Sequence, residues 1–271
     1  MPVPELAVRR VEPVELWFVR EAVSVVYSTL AKLKFDGVVE LRLYRSWSSM
    51  SRELSIELSA VASRLGVRAS AIQMPFSSCT FHHGWLDRPC ISAAQDAYEA
   101  KRRAVARGEL EHEVGHSVLH GKLEYYLITI PRPLLELAEV IGEEASHELA
   151  HILASAVKDY EVSELLASHE IIENQVEMLL EHLPVSDAEV EAVLRRDIVV
   201  LANLAKPFFC AFPLARKSSA LREAIEREAM KLPRYAERAL YEAVSRAAAA
   251  ESFTERLKAV SEALLDVATE R

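Results

Sequence analysis

Asp36-Gly37-Val38-Val39-Glu40-Leu41-Arg42-Leu43-Tyr44, DGVVELRLY, decides the fold class. Asp-Gly is a turn signal, and the residues after it alternate: Val39, Leu41 and Leu43 against Glu40 and Arg42. A period of two is the mark of a half-buried β-strand. On either side the period changes to that of a helix. Pro13 to Lys34 places Leu16, Val19, Val23, Val26, Leu30 and Leu33 along one side. Ser51 to Leu65 is again helical and stops at Gly66. Val67 to Met74 is a second expected strand, ended by Pro75, and 75–90 reads as a loop.

From Ile91 onward the chain reads as helix almost throughout. Gly121 is an expected helix stop. Pro131-Arg132-Pro133 opens a long helical run that is interrupted near Gly142. Ser186 with Glu189, and Ser252 with Glu255, have capping-box spacing. Pro213 and Pro233 punctuate the tail. The expected fold is therefore α+β and predominantly α. A unit over 1–205 carries a strand-containing part (about 1–90) and a helical core (about 91–205), and 206–271 forms a helical extension.

The bulk properties bound the function. Half of the 271 residues are apolar, enough for a sizeable core, and the formal charge is −9 with scattered basic residues. That argues against nucleic-acid binding, which shows a basic stripe. The N-terminus lacks the order of a signal peptide. No uninterrupted apolar run has the ~18 residues of a membrane span. The nearest, Ile198 to Ala215, contains Lys206, Pro207 and Pro213 and reads as a buried helix end and a loop. Three cysteines, Cys79, Cys90 and Cys210, do not make a secreted disulfide framework. A cytoplasmic protein is expected. Few Asn, Gln and Gly beside plentiful Glu and Arg is the usage thermophile proteins tend to show.

The chemistry is concentrated in Leu110 to Gly121, LEHEVGHSVLHG. On a helix, residues i and i+4 share a face one turn apart, so His112 and His116 can hold one metal ion between them. Glu113 is rotated by ~100° from the first ligand, close to a metal-bound water and off the metal. His120 is eight residues from His112, ~12 Å along a straight helix, whereas zinc–nitrogen bonds are ~2 Å. One ion cannot join those two, and His120 is expected at the helix end beside the site.

HEVGHSVLHG resembles the active-site helix of zinc metallopeptidases of the His-Glu-x-x-His, gluzincin-like group. The resemblance implies a zincin-like unit, Zn2+ held by His112 and His116, Glu113 as general base, and a peptide or protein substrate. It also implies a third, acidic ligand on a later helix. Lys158 to Leu166, KDYEVSELL, resembles the segment supplying that ligand in the CAAX-protease-like and repressor-cleaving peptidases. Laid on it, Asp159 takes the ligand position and Val162 and Ser163 the supporting Ala-Asp positions. Asp is one methylene shorter than the usual Glu, so Glu161 is the fallback.

A second complete motif, His147-Glu148-Leu149-Ala150-His151, is followed 19 residues later by Glu170 and then by Glu173. Glu170 lies close to the spacing of thermolysin-like gluzincins, so His147 and His151 as ligands with Glu148 as base is the rival assignment. The first motif is preferred because strands precede it and a glycine follows it. His147 and His151 then read as core or supporting histidines. A dinuclear site between the two motif helices is disfavoured, since such bundles use Glu-x-x-His spacing. Cys79, His82, His83 and Cys90 fit no compact structural-zinc spacing. Tyr125, Tyr126, Tyr160 and His169 are candidates to stabilise an oxyanion. Two non-catalytic alternatives stay open: a metal-binding or oligomeric helical protein, and a helical interaction module. The tail after Lys206 would cover the site or mediate self-association.

Overall fold

The computed structural model describes residues 4–67, 78–127 and 129–269. The expected strand at Val67 to Met74 lies almost wholly outside them; Val67 itself is exposed and not in a strand. The chain forms two compact units interleaved along its length: Met1–Leu127 with Ser168–Met178, and Ile128–Ala167 with Leu179–Arg271.

The first unit begins with β1 (Glu5–Arg10), α1 (Leu16–Lys32), β2 (Val38–Tyr44) and α2 (Trp47–Leu65). It continues through β3 (Thr80–His83), β4 (Cys90–Ala94), α3 (Gln95–Glu99), α4 (Arg103–Leu119) and a 3-10 turn (Leu123–Tyr126). The four strands form one mixed sheet in the order β1-β2-β4-β3. β1 and β4 run parallel to β2, and β3 runs antiparallel to β4.

β2 lies inside the sheet, and this corrects the half-buried reading. Val39, Leu41, Leu43 and Tyr44 are fully buried, but so is Arg42, at 2% exposure. A buried guanidinium is tolerable only with its hydrogen-bonding capacity met. Its Nε donates to Glu40 (2.8 Å) and a terminal nitrogen to Glu57 of α2 (2.7 Å). Glu57 also accepts from the Trp85 indole at 2.6 Å. This polar tie fixes α2 over the sheet beside an apolar cluster of Tyr44, Met50, Leu54, Val61, Trp85 and Ala94. α2 ends where expected, with Gly66 in the left-handed region at φ 68°.

The expected loop at 75–90 holds a strand pair. β3 and β4 are joined through Gly84 to Pro89, and Cys90–Ala94 is a strand rather than the start of the helical region. All five β4 side chains are buried, so β4 shows no alternation to read.

The second unit is helical among its described residues. It contains α5 (Arg132–Ile141) and most of α6 (Glu143–Ser168), then the end of α7 (Glu173–His182), whose start belongs to the first unit. α8 (Asp187–Leu194), α9 (Ile198–Ala215), α10 (Ser219–Ala229), α11 (Arg234–Ala249) and α12 (Phe253–Thr269) follow. α9 corrects a further expectation. It runs as one helix through Lys206, with Pro207 and Pro213 inside it. Its mean hydropathy of 1.8 over 18 residues is enough to cross a membrane, and 67% of it is buried within the protein. Leu201, Leu204, Phe208, Phe209 and Leu214 fill the core here. The Ser186–Glu189 capping box forms as read.

Candidate metal centre

The site is built on α4. Val105, Leu110 and Val114 are fully buried, and the helix packs against α1, β3 and β4. Gly108 lets a second segment come close: a Cβ there would fall 2.4 Å from the Asn174 carbonyl oxygen. Gln175 donates to the Gly108 carbonyl at 2.7 Å, and Asn174 donates to the buried Glu111 carboxylate at 2.7 Å. Burial holds the Glu111 carboxyl above its ordinary pKa, partly offset by those two amides. Glu21 of α1 takes a bidentate grip from Arg103, 2.9 and 2.6 Å. With its rotation fixed on several sides, α4 presents its histidines in one direction.

The i, i+4 geometry holds. The His112 and His116 rings stand 4.9 Å apart between centroids and nearly perpendicular, at 79°. His112 is 9% exposed. Glu113 lies between them in sequence, and its carboxylate accepts from the Thr80 hydroxyl of β3 at 3.2 Å.

Two rings contact His116, and each has a tyrosine behind it. His82 of β3 stacks on it at 5.7 Å and 12°. His120 faces it, with the two Nδ1 atoms 3.1 Å apart. Tyr126 Oη lies 3.1 Å from His82 Nδ1, and the Tyr125 ring packs 5.1 Å from that of His120. Strand alternation explains the choice of residues on β3. Thr80 and His82 face α4. Phe81 and His83 face the other way, where both rings lie near Trp85, His83 stacked at 4.1 Å. Burial, then the charge of Arg42, lowers the His83 pKa to about 3, so it stays neutral.

α4 stops just before Gly121, as expected, although Gly121 is not in the left-handed region. α4 ends at Leu119, and His120, at φ −126°, is its cap. The residue is glycine because of crowding. A Cβ at Gly121 would meet the Ser117 carbonyl oxygen at 2.8 Å and Pro89 at 2.9 Å. A Cβ at Gly84 would meet the Gly121 carbonyl carbon at 2.5 Å. This close approach brings the turn with Tyr125 and Tyr126 up to the histidines.

Of the four oxyanion candidates, Tyr125 and Tyr126 thus lie beside the α4 histidines. Tyr160 lies in the second unit under Arg256, and His169 meets Ser168 at 3.0 Å. Cys79 and Cys90 are free, buried thiols. Burial, with Glu109 3.0 Å from its sulfur, pushes the Cys79 pKa up, and burial raises Cys90 to about 12. Neither is a ready thiolate ligand.

In the second unit, Asp159 on α6 is 7% exposed, and its carboxylate lies 3.3 Å from Lys206 Nζ. Glu161, the fallback, pairs instead with Arg256 of α12 at 3.4 Å. His112, His116 and Asp159 are, as a set of side chains, of a kind that could hold a metal ion. Two imidazoles and a carboxylate are a donor set zinc accepts. The second motif stands differently: His147, Glu148 and His151 are exposed on α6, so of the two expectations, core or supporting histidines, the core one fails.

No family model, curated protein or solved structure matches the chain. The likeness to metallopeptidases rests on its motif residues alone.

Proposed function

We propose that the chain is a zinc-dependent hydrolase acting on peptides, with His112, His116 and Asp159 as ligands and Glu113 as general base. The observation that carries this reading is the placement of Glu113. It sits between two histidines that share one helix face, with its carboxylate oriented by Thr80 of β3.

Zinc held by His112, His116 and Asp159 would supply a Lewis acid and lower the pKa of a bound water. Glu113 would be the residue that holds the proton on its way from the attacking water to the departing amine. Thr80 keeps the carboxylate aimed, and Tyr126, hydrogen-bonded to His82, is one candidate donor to a developing oxyanion. A peptide is the substrate that suits β3. Among the described residues that strand ends the sheet order, and it carries Thr80, so an extended chain laid along it would bring its backbone to Glu113. Asp159 would exchange Lys206 for the metal as its charge partner. The buried thiols of Cys79 and Cys90, held protonated by burial, suit a reducing compartment, and we propose a cytoplasmic site of action.

The test is hydrolysis of a mixed peptide library by the zinc-loaded protein, read by mass spectrometry, with E113Q as control. New termini formed by the wild type and lost in E113Q support the reading. Equal, background cleavage by both sinks it and leaves a non-catalytic metal site.

A further inference from the structure

The sheet has a second end, at β1, and its chemistry points to a partner. The exposed residues of β1 are Glu5, Ala7, Val8, Arg9 and Arg10, with Leu6 half-buried. Among the described residues β1 pairs on one side, with β2, which leaves a row of main-chain donors and acceptors on its other edge.

The parallel ladder with β2 says which groups those are. Glu5 N–H donates to the Gly37 carbonyl and Val11 N–H to the Leu43 carbonyl. The odd-numbered residues of β1 therefore turn their amides towards β2, and Leu6, Val8 and Arg10 turn theirs outward. A second strand can join this edge only in registers that set even residues opposite even residues.

Among antiparallel registers of that parity, one matches the charges. Centred on Ala7, it sets Leu6 opposite Val8 in the hydrogen-bonded pairs. Glu5 then falls opposite Arg9 in the other pairs, where Cα atoms come closest, ~4.5 Å. Shifting the centre to Val8 puts Glu5 opposite Val11 and Ala7 opposite Arg9. Shifting it to Leu6 puts Glu5 opposite Ala7. Only the Ala7 centre pairs every acid in the strand with a base, and it does so twice, because the arrangement is self-complementary.

We propose that β1 is a dimerisation edge, on which two copies of this chain pair antiparallel about a twofold axis through Ala7. The two sheets would join into one of eight strands. Four main-chain hydrogen bonds, two Glu5–Arg9 pairs and two Leu6–Val8 contacts would cross the axis. The inference is independent of the metal reading.

The test is sedimentation equilibrium of the full chain from low micromolar to near-millimolar protein, for wild type, E5R, R9E and E5R/R9E. Wild type is expected to approach twice the monomer mass. Each single variant sets like charges opposite one another and should weaken the dimer roughly tenfold. The double variant restores the pairs and should return to within about threefold of wild type. A wild type that stays monomeric throughout overturns the proposal. So does a dimer that ignores both single changes, or a double variant as weak as the singles. Matching circular dichroism spectra exclude misfolding at these exposed positions.

Discussion

His116 and His120 hold their Nδ1 atoms 3.1 Å apart at the end of α4. A hydrogen bond between them would engage Nδ1 of His116, and on the proposed metal reading its Nε2 would be the ligand atom. Supporting contacts of this kind set the orientation of a ligating imidazole. H120A is expected to lower zinc affinity by about 10- to 100-fold. Competition with a chromophoric chelator measures it, and unchanged affinity would remove His120 from the site.

Glu113 and Thr80 should separate chemistry from binding. E113Q is expected to reduce turnover by about 10²- to 10⁴-fold while the zinc content stays constant. T80V removes only the hydrogen bond that aims the carboxylate and should cost about tenfold in kcat. A T80V enzyme with full kcat would show that Glu113 needs no help from β3.

His83 should shape the acid limb of stability. Its folded pKa lies at about 3, below the ordinary 6.5, because burial opposes the charged form. Between those values the unfolded chain binds a proton that the folded chain refuses. Stability contributed by neutral His83 is therefore whole above pH 6.5 and is lost as the pH falls towards 3, by at most about 1.4 kcal/mol per unit. Denaturant titrations of wild type and H83Q across this range should show a shallower acid limb in the variant. Equal slopes would mean that His83 takes up its proton without unfolding.

Gly84 should tolerate no side chain. Its added Cβ would meet backbone atoms of Gly121 and Lys122 at 2.5 to 2.8 Å, and backbone cannot swing aside. G84A is expected to destabilise the protein by about 1–3 kcal/mol, read from the denaturation midpoint. It should also weaken zinc binding, since the turn bearing Tyr125 and Tyr126 is seated there. A neutral G84A would show that the two turns can part without consequence.

The signals that were local and periodic could be read from sequence. β2, α1, α2 and the Ser186 cap each carry a pattern complete within a few residues. That His112 and His116 share one face of α4 was legible for the same reason, since i, i+4 spacing needs only one helix. β1 was missed because it is exposed along nearly its whole length and shows no alternation. β3 and β4 were hidden by brevity, by Gly84 and Pro89, and by burial of β4 on both faces. In α9, two prolines read as a loop, yet a helix enclosed by apolar neighbours keeps its path through them. Thr80 and His82 join the site only through the register of β3 against β4 and the packing of α4 on that strand. Neither is written in the spacing of residues, so histidines 30 or more positions apart gave no sign of meeting.

The central claim is that the metal belongs to the α4 histidines. Zinc content per chain, measured by elemental analysis after reconstitution and desalting, tests it most directly in wild type, H112A/H116A and H147A/H151A. One zinc is expected in wild type and in H147A/H151A, and none in H112A/H116A. A full equivalent of zinc retained by H112A/H116A, with its loss in H147A/H151A, would contradict it.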